Sequence, residues 1–305
     1  MERRGLLFPV QLLHTMSQEA VIGHVRDRVL QLVYRDADFV DLEDVDSHVR
    51  SRDGLIRLFC ERFSKTHKGC EYDVDAIADN MLKTLKWRKS SGLSSWKDQD
   101  FPLELWNANL VLMHEDDEYN ISMYLLRNHY RISRKWSDLT KTFYMYSTNR
   151  DYLEAVHAGK KAIAFVDARH IGFANVDIFM FESCFRQIDK HFPRLYHKLA
   201  LFGVPRFLNP VTAFLIKYCM PVGFRKRLKV YDTEAVHEVV DADHLPSELG
   251  GVLRLKPLID TKKTQLKSIS DHGQEWGLEE WEIQAILKRY HIVTDDSMEV
   301  GDKLA

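Results

Sequence analysis

Residues 162–166 read Ala162-Ile163-Ala164-Phe165-Val166, a continuous apolar run. A strand covered by helices on both faces reads this way, because neither side meets water. From Asn175 onward, Ile178, Phe181, Phe185, Ile188 and Phe192 are spaced three, four, three and four apart, the period of one helix face. Pro193 stops that helix, since proline cannot continue the hydrogen-bond ladder. Leu199-Ala200-Leu201-Phe202-Gly203-Val204 is the next strand, a helical stretch begins at Pro210, and Leu228-Lys229-Val230-Tyr231 is a further strand. Strand and helix alternate, which predicts an α/β sheet with helices packed on it.

Upstream, Leu110-Val111-Leu112-Met113 and Ile121-Ser122-Met123-Tyr124-Leu125-Leu126 flank the polar Glu115-Asp116-Asp117-Glu118, the pattern of a hairpin. Before that the period is helical. Ser17 caps a pattern carrying Val21, Ile22, Val25, Val29, Leu32 and Val33. An acidic stretch runs from Asp36 to Asp46. A second pattern starts at Asp53, a polar loop covers Lys65 to Cys70, and a third pattern from Asp73 carries Ile77, Met81, Leu82 and Leu85. Ser90 to Ser95, around Gly92, is the boundary. The expected organisation is a flexible extension over 1–16, a helical lobe over 17–95, an α/β lobe over 96–255 and a C-terminal extension over 256–305. The chain has no internal repeat.

The chain has 305 residues, 43 basic against 45 acidic, for a net charge of −2. That balance offers no global field to attract DNA or RNA, so no nucleic-acid partner is expected. Cys60, Cys70, Cys184 and Cys219 are scattered with no paired spacing, which reads as reduced cytosolic thiols and not as a disulfide framework or zinc site. His191 and His197 lack a carboxylate or cysteine partner at ligand spacing. No cofactor is expected. No segment reaches the roughly 18 uninterrupted apolar residues of a membrane span. The richest, Leu208 to Phe224, is broken by Pro210, Lys217 and Pro221. Glu2-Arg3-Arg4 before Gly5 to Leu13 imitates a signal peptide weakly, with Pro9 and Gln11 inside the apolar run and no small-residue cleavage site after it.

Five short motifs occur in order. They are Asp53-Gly54-Leu55-Ile56-Arg57-Leu58-Phe59-Cys60-Glu61-Arg62; Met81-Leu82-Lys83-Thr84-Leu85-Lys86-Trp87-Arg88; Phe192-Pro193-Arg194-Leu195; Val204-Pro205; and Leu245-Pro246-Ser247-Glu248-Leu249-Gly250-Gly251. Together they resemble the CRAL-TRIO lipid-binding family over about Ser17 to Gly251. Each motif is weak alone, and the order makes them strong. Within that family the hairpin and helical lobe look closest to the CRAL-TRIO half of motile-sperm-domain proteins. The resemblance implies a small helical N-terminal lobe, then a mixed, mostly parallel sheet that floors an apolar cavity under a mobile gate helix. It also implies a ligand such as a phosphoinositide, phosphatidylcholine, a retinoid or a tocopherol, exchanged between membranes without catalysis.

Pro210 to Pro221 occupies the gate position, bounded by prolines, with Val211, Phe214, Leu215 and Tyr218 on one stripe. The expected lipid-contacting set is Phe165, Phe181, Phe185, Phe202, Val211, Phe214, Leu215 and Tyr218. The stripe Phe181, Phe185 and Phe192 either lines a cavity or packs on the sheet, and an acyl chain and a phenyl ring want the same surroundings. Arg127, Arg131, Arg134 and Lys135 form one basic cluster. Arg225, Lys226, Arg227 and Lys229 form another directly after the gate, expected to contact anionic membranes, although charge runs are more often solvated faces. Phosphoinositide-binding members carry a lysine seven residues before the Leu-Pro pair. Glu238 stands there in this chain, and a carboxylate repels phosphate.

The expected localisation is cytoplasmic, with transient peripheral membrane association. Two other readings compete. In one, the chain is a membrane adaptor that recruits a protein through the helical pattern Gly277 to Tyr290, although docking of that helix on its own domain is the favoured use of it. In the other, Cys219 to Arg225 is the C-x5-R loop of a cysteine phosphatase, despite Pro221 lacking an N–H.

Overall fold

The Ser17 side chain accepts a hydrogen bond from the Ala20 backbone N–H and starts α1 (Gln18–Arg35). The computed structural model describes residues 17–63, 72–115 and 118–290. The 1–16 segment, the Lys65–Cys70 loop, and Asp116 and Asp117 of the hairpin turn lie outside the described residues. The chain divides into two compact units between Ser95 and Trp96. Among the described residues no helix is long and apolar enough to cross a membrane.

The first unit is helical: α1, α2 (Leu42–Val45), α3 (Gly54–Phe63) and α4 (Val74–Ser90). Asp73 caps α4 by accepting from the Ala76 N–H. The apolar stripes of α1, α3 and α4 meet in a core that includes Val25, Val29, Ile56, Phe59, Ile77 and Leu85. At its edge an ion pair is buried. Arg88 donates from Nε and Nη2 to the two carboxylate oxygens of Asp44, both at 2.9 Å. Burial alone would raise the Asp44 pKa, but hydrogen bonds from His48, Arg88 and Ser94 hold it well below the usual carboxylate range.

The second unit opens with α5 (Leu103–Asn107) and the antiparallel pair β1 (Val111–Glu115) and β2 (Tyr119–Leu125). Then follow α6 (Arg134–Ala158), β3 (Lys161–Asp167), α7 (Ile178–His191), β4 (Lys198–Phe202), α8 (Asn209–Phe214), α9 (Val222–Arg225), β5 (Leu228–Tyr231), β6 (Lys256–Pro257) and α10 (Ile269–His272). A last helix occupies 280–290. The sheet order is β5-β4-β3-β2-β1-β6, with β2 to β5 parallel and β1 antiparallel to both neighbours. Side-chain caps at Ser133 and Asp177 start α6 and α7, and Gly159 ends α6 in the left-handed region at φ 69°.

Register decides which residues share a face. Phe165 lies opposite Ala200, and Val166 opposite Leu201. One face of the sheet carries Ile121, Met123, Ile163, Phe165 and Phe202, packed against Val239, Val240 and Leu245. The Leu245–Gly251 segment holds that layer in place. Ser247 N–H donates to the Leu253 carbonyl at 2.7 Å, and Gly251 N–H donates to the Pro246 carbonyl at 3.0 Å. A Cβ at Gly251 would overlap the Leu245 carbonyl, so only glycine fits there.

Residues 256–290 pack within this second unit. Glu104 accepts from Ser268 Oγ and from the Ile269 N–H, and β6 covers the outer edge of β1. In the helix over 280–290, Ile283, Ile286 and Tyr290 are buried, with the Tyr290 ring 5.5 Å from Trp136 and 5.8 Å from Tyr130. Of the apolar residues read from Gly277 to Tyr290, Ile283, Ile286 and Tyr290 are thus occupied in cis, while Trp281 stays 57% exposed.

Candidate functional site: an apolar cavity

The other face of the sheet floors a cavity of about 160 Å³. Alternation along the strands supplies its floor: Tyr124 from β2, Val166 from β3, Leu199 and Leu201 from β4, and Leu228 from β5. Helix α7 contributes Phe181, Cys184, Phe185 and Ile188, one face at helical spacing. Helix α6 contributes Tyr144 and Thr148, four residues apart. Helix α8 and the π-helical turn Leu215–Cys219 that continues it close the remaining side with Val211, Thr212, Leu215 and Ile216. No lining residue is an Asp, Glu, Lys or Arg. An engineered cavity of about this volume lined by Leu, Ile and Phe holds a benzene ring.

The structure brings four of the expected contacts together: Phe181, Phe185, Val211 and Leu215. It separates the other four. Phe165 and Phe202 are fully buried in the layer on the opposite face, because adjacent strand residues point to opposite sides and Val166 and Leu201 take the cavity side. Phe214 and Tyr218 point outward, 48% and 64% exposed, with ring centroids 5.2 Å apart. The inward face of this segment runs through Val211, Thr212, Leu215 and Ile216, a repeat of four residues, and that face leaves Phe214 and Tyr218 on the outer side. Phe192 is buried against Tyr152, with ring centroids 5.3 Å apart, and does not line the cavity.

Polar groups cluster along one wall. Tyr124 and Tyr196 share a hydrogen bond between hydroxyls at 2.5 Å, and Tyr124 Oη lies 3.2 Å from Thr148 Oγ1. Burial pushes both phenol pKa values up, so both remain neutral. Sequence reasoning missed this wall. The available signal was Thr140, Tyr144, Thr148 and Asp151 along one stripe of α6, polar groups on a face that turns out to be buried.

Asp151 sits behind that wall, accepting from Asn120 Nδ2 and Ser122 Oγ of β2. Burial pushes its carboxyl up to about 7, against weaker lowering by the Ser122 and Asn120 hydrogen bonds. A raised acid pKa means the folded state holds its proton where the unfolded chain has lost it. The stability this confers is complete below the ordinary carboxylate range and is lost as pH rises through about 7. Asp151→Asn should therefore outlast the parent in denaturant at pH 8.5 by a few kcal/mol, with the gap closing near pH 4. Parallel pH profiles of the urea midpoint in parent and variant would rule this out.

The phosphatase loop does not form. Cys219 is buried, desolvation raises its thiol pKa, and Arg225 donates from Nη1 to the Lys217 carbonyl at 3.0 Å and so is not arrayed around the sulfur. A thiol nucleophile needs the opposite environment. Arg225 and Arg227 are half-buried, and Lys226 and Lys229 are exposed. Glu238 is exposed and does not line the cavity.

A family model described as CRAL/TRIO domain matches residues 107–251, from the end of α5 to the glycine pair. Residues 107–251 are a CRAL/TRIO domain, of a lipid-binding family. The solved structure of Sfh5 is similar to this chain in fold, with a TM-score of 0.58 and 15% identity, over 90% of this chain and 97% of that one. No curated protein matches the chain, and the nearer likeness to motile-sperm-domain proteins gains no support. The CRAL/TRIO match begins at 107, so the helical lobe rests on the likeness of fold.

Proposed function

We propose that this CRAL/TRIO protein is a non-catalytic lipid carrier of the cytoplasm. It encloses an apolar ligand under α8 and exchanges it at membrane surfaces by displacing that helix. The observation that carries this reading is the uncharged cavity between the sheet and α8. About 160 Å³ accommodates a ring or a short chain, so a larger ligand enters only as α8 moves outward. Pro210 and Pro221 bound that segment, and its π turn is a point of low helical regularity.

The outer face of the same segment favours a membrane encounter. Phe214 and Tyr218 are exposed side by side, and Lys217 Nζ stands 4.9 Å from the Tyr218 ring centroid. Aromatic rings beside cations suit an anionic headgroup layer. Replacing Arg225, Lys226, Arg227 and Lys229 together with glutamine tests this. Each charge near such a surface is worth about 1 kcal/mol, so even after screening, partitioning onto anionic vesicles should fall by at least about tenfold, with neutral vesicles unaffected. Equal partitioning of parent and variant onto anionic vesicles would make the cluster a solvated face.

A further inference from the structure

Two buried polar side chains, one lining the cavity and one behind it, have no hydrogen-bond partner among the described residues. Tyr144 lines the cavity at 7% exposure, and its hydroxyl is unpartnered among the described residues. His129 is fully buried just behind, with ring centroids 6.0 Å from Tyr144 and 5.6 Å from Phe181, and neither of its ring nitrogens is partnered. Buried polar groups in native proteins are nearly always satisfied, so a cluster of unmade bonds beside a cavity points to a group that enters and makes them. The other polar lining residues are Tyr124, Tyr196, Thr148 and Thr212, which carry hydroxyls, and Asn175, whose amide is spent on the Gly172 N–H and the Arg127 and His129 carbonyls.

We infer that this wall receives the uncharged hydroxyl or carbonyl of a neutral lipid, and that the chain's cargo is a neutral lipid and not a phospholipid or a fatty-acid anion. The inference rests on the carrier reading. A phosphate or carboxylate at this wall would be buried with no cation among the lining residues, and an unpaired buried charge is far more unfavourable than an unpaired dipole. A phospholipid with only its tails inside would set methyl groups against Tyr144 and leave its hydroxyl unmade. Desolvation lowers the His129 pKa to about 4, so the imidazole behind Tyr144 is neutral at physiological pH and adds no cation to pair with an anionic ligand.

The test uses the full chain loaded with the neutral fluorophore N-phenyl-1-naphthylamine, displaced by 1-dodecanol or by dodecanoate at pH 8. Dodecanol should displace the dye at a concentration at least about tenfold below dodecanoate. Tyr144→Phe should weaken dodecanol by about tenfold, the scale of one buried neutral hydrogen bond, and the dye by clearly less. The ligand-free variant should melt no lower than the parent, since an unmade bond has been removed. Dodecanoate matching dodecanol, or dye and dodecanol weakening equally in Tyr144→Phe, overturns the inference. So does stoichiometric phosphatidylcholine retained after incubation with phosphatidylcholine vesicles, which leaves the carrier reading standing. Dye that does not bind, or binds undiminished after Leu201→Trp blocks the floor, overturns the carrier reading and this inference together.

Discussion

Leu215→Asp should reduce transfer of a fluorescent lipid between vesicles to background, while Phe214→Asp, one residue away, leaves the cavity able to take up ligand. Leu215 lines the cavity from the lid, and a carboxylate there would face hydrocarbon with no cation to pair with. The penalty of several kcal/mol falls on the loaded state, because in the unloaded state α8 can tilt the charge toward water. Phe214 is half exposed and its charge would be solvated. Its variant should lose membrane affinity, not capacity, which equilibrium binding in detergent-free solution separates from vesicle transfer. Parent-like transfer by Leu215→Asp would show that α8 does not cover the ligand. Loss of uptake by Phe214→Asp with the fold intact would show that the lid contacts ligand through its outer face.

Arg88→Ala should destabilise the helical unit by roughly 3–5 kcal/mol, a large share of a small domain's stability. Deleting the guanidinium leaves Asp44 buried with only His48 and Ser94 as partners, and the two bonds at 2.9 Å are lost together. Replacing Arg88 and Asp44 together with Met and Leu should recover most of the loss, since no unpaired charge then remains. Urea denaturation followed by far-UV circular dichroism reads both variants. A loss below about 1 kcal/mol for Arg88→Ala would mean the pair behaves as a surface salt bridge.

Much of this architecture is local and was readable as such. Ser17 and Asp73 cap helices because a short polar side chain ahead of an apolar period can do little else. The hairpin before residue 126 and the run at 162–166 declared strands through composition, and the prolines at 210 and 221 marked a segment apart. The final helix declared its apolar face equally well, but the same face could dock in cis or in trans. Only its packing against Trp136 and Tyr130 chose between them.

The ligand wall depended on tertiary structure. A continuous apolar run such as Ala162 to Val166 states that both sides of a strand leave water, but not which side is filled by protein and which is left open. Phe165 and Val166 are equally apolar; registry against β4 and the layer around Val240 sends Phe165 to the solid side and Val166 to the cavity. In the lid, two helical stripes were open to the sequence, and packing on the sheet turned Val211, Thr212, Leu215 and Ile216 inward and left Phe214 and Tyr218 outside. Tyr124, His129, Tyr144 and Tyr196 come from separate stretches of chain, and no spacing links them. The sequence determined by itself that an α/β lobe forms and where its lid lies, because capping, period and proline act within a few residues. Which polar groups meet inside depends on how distant elements pack, and that is a property of the folded chain alone.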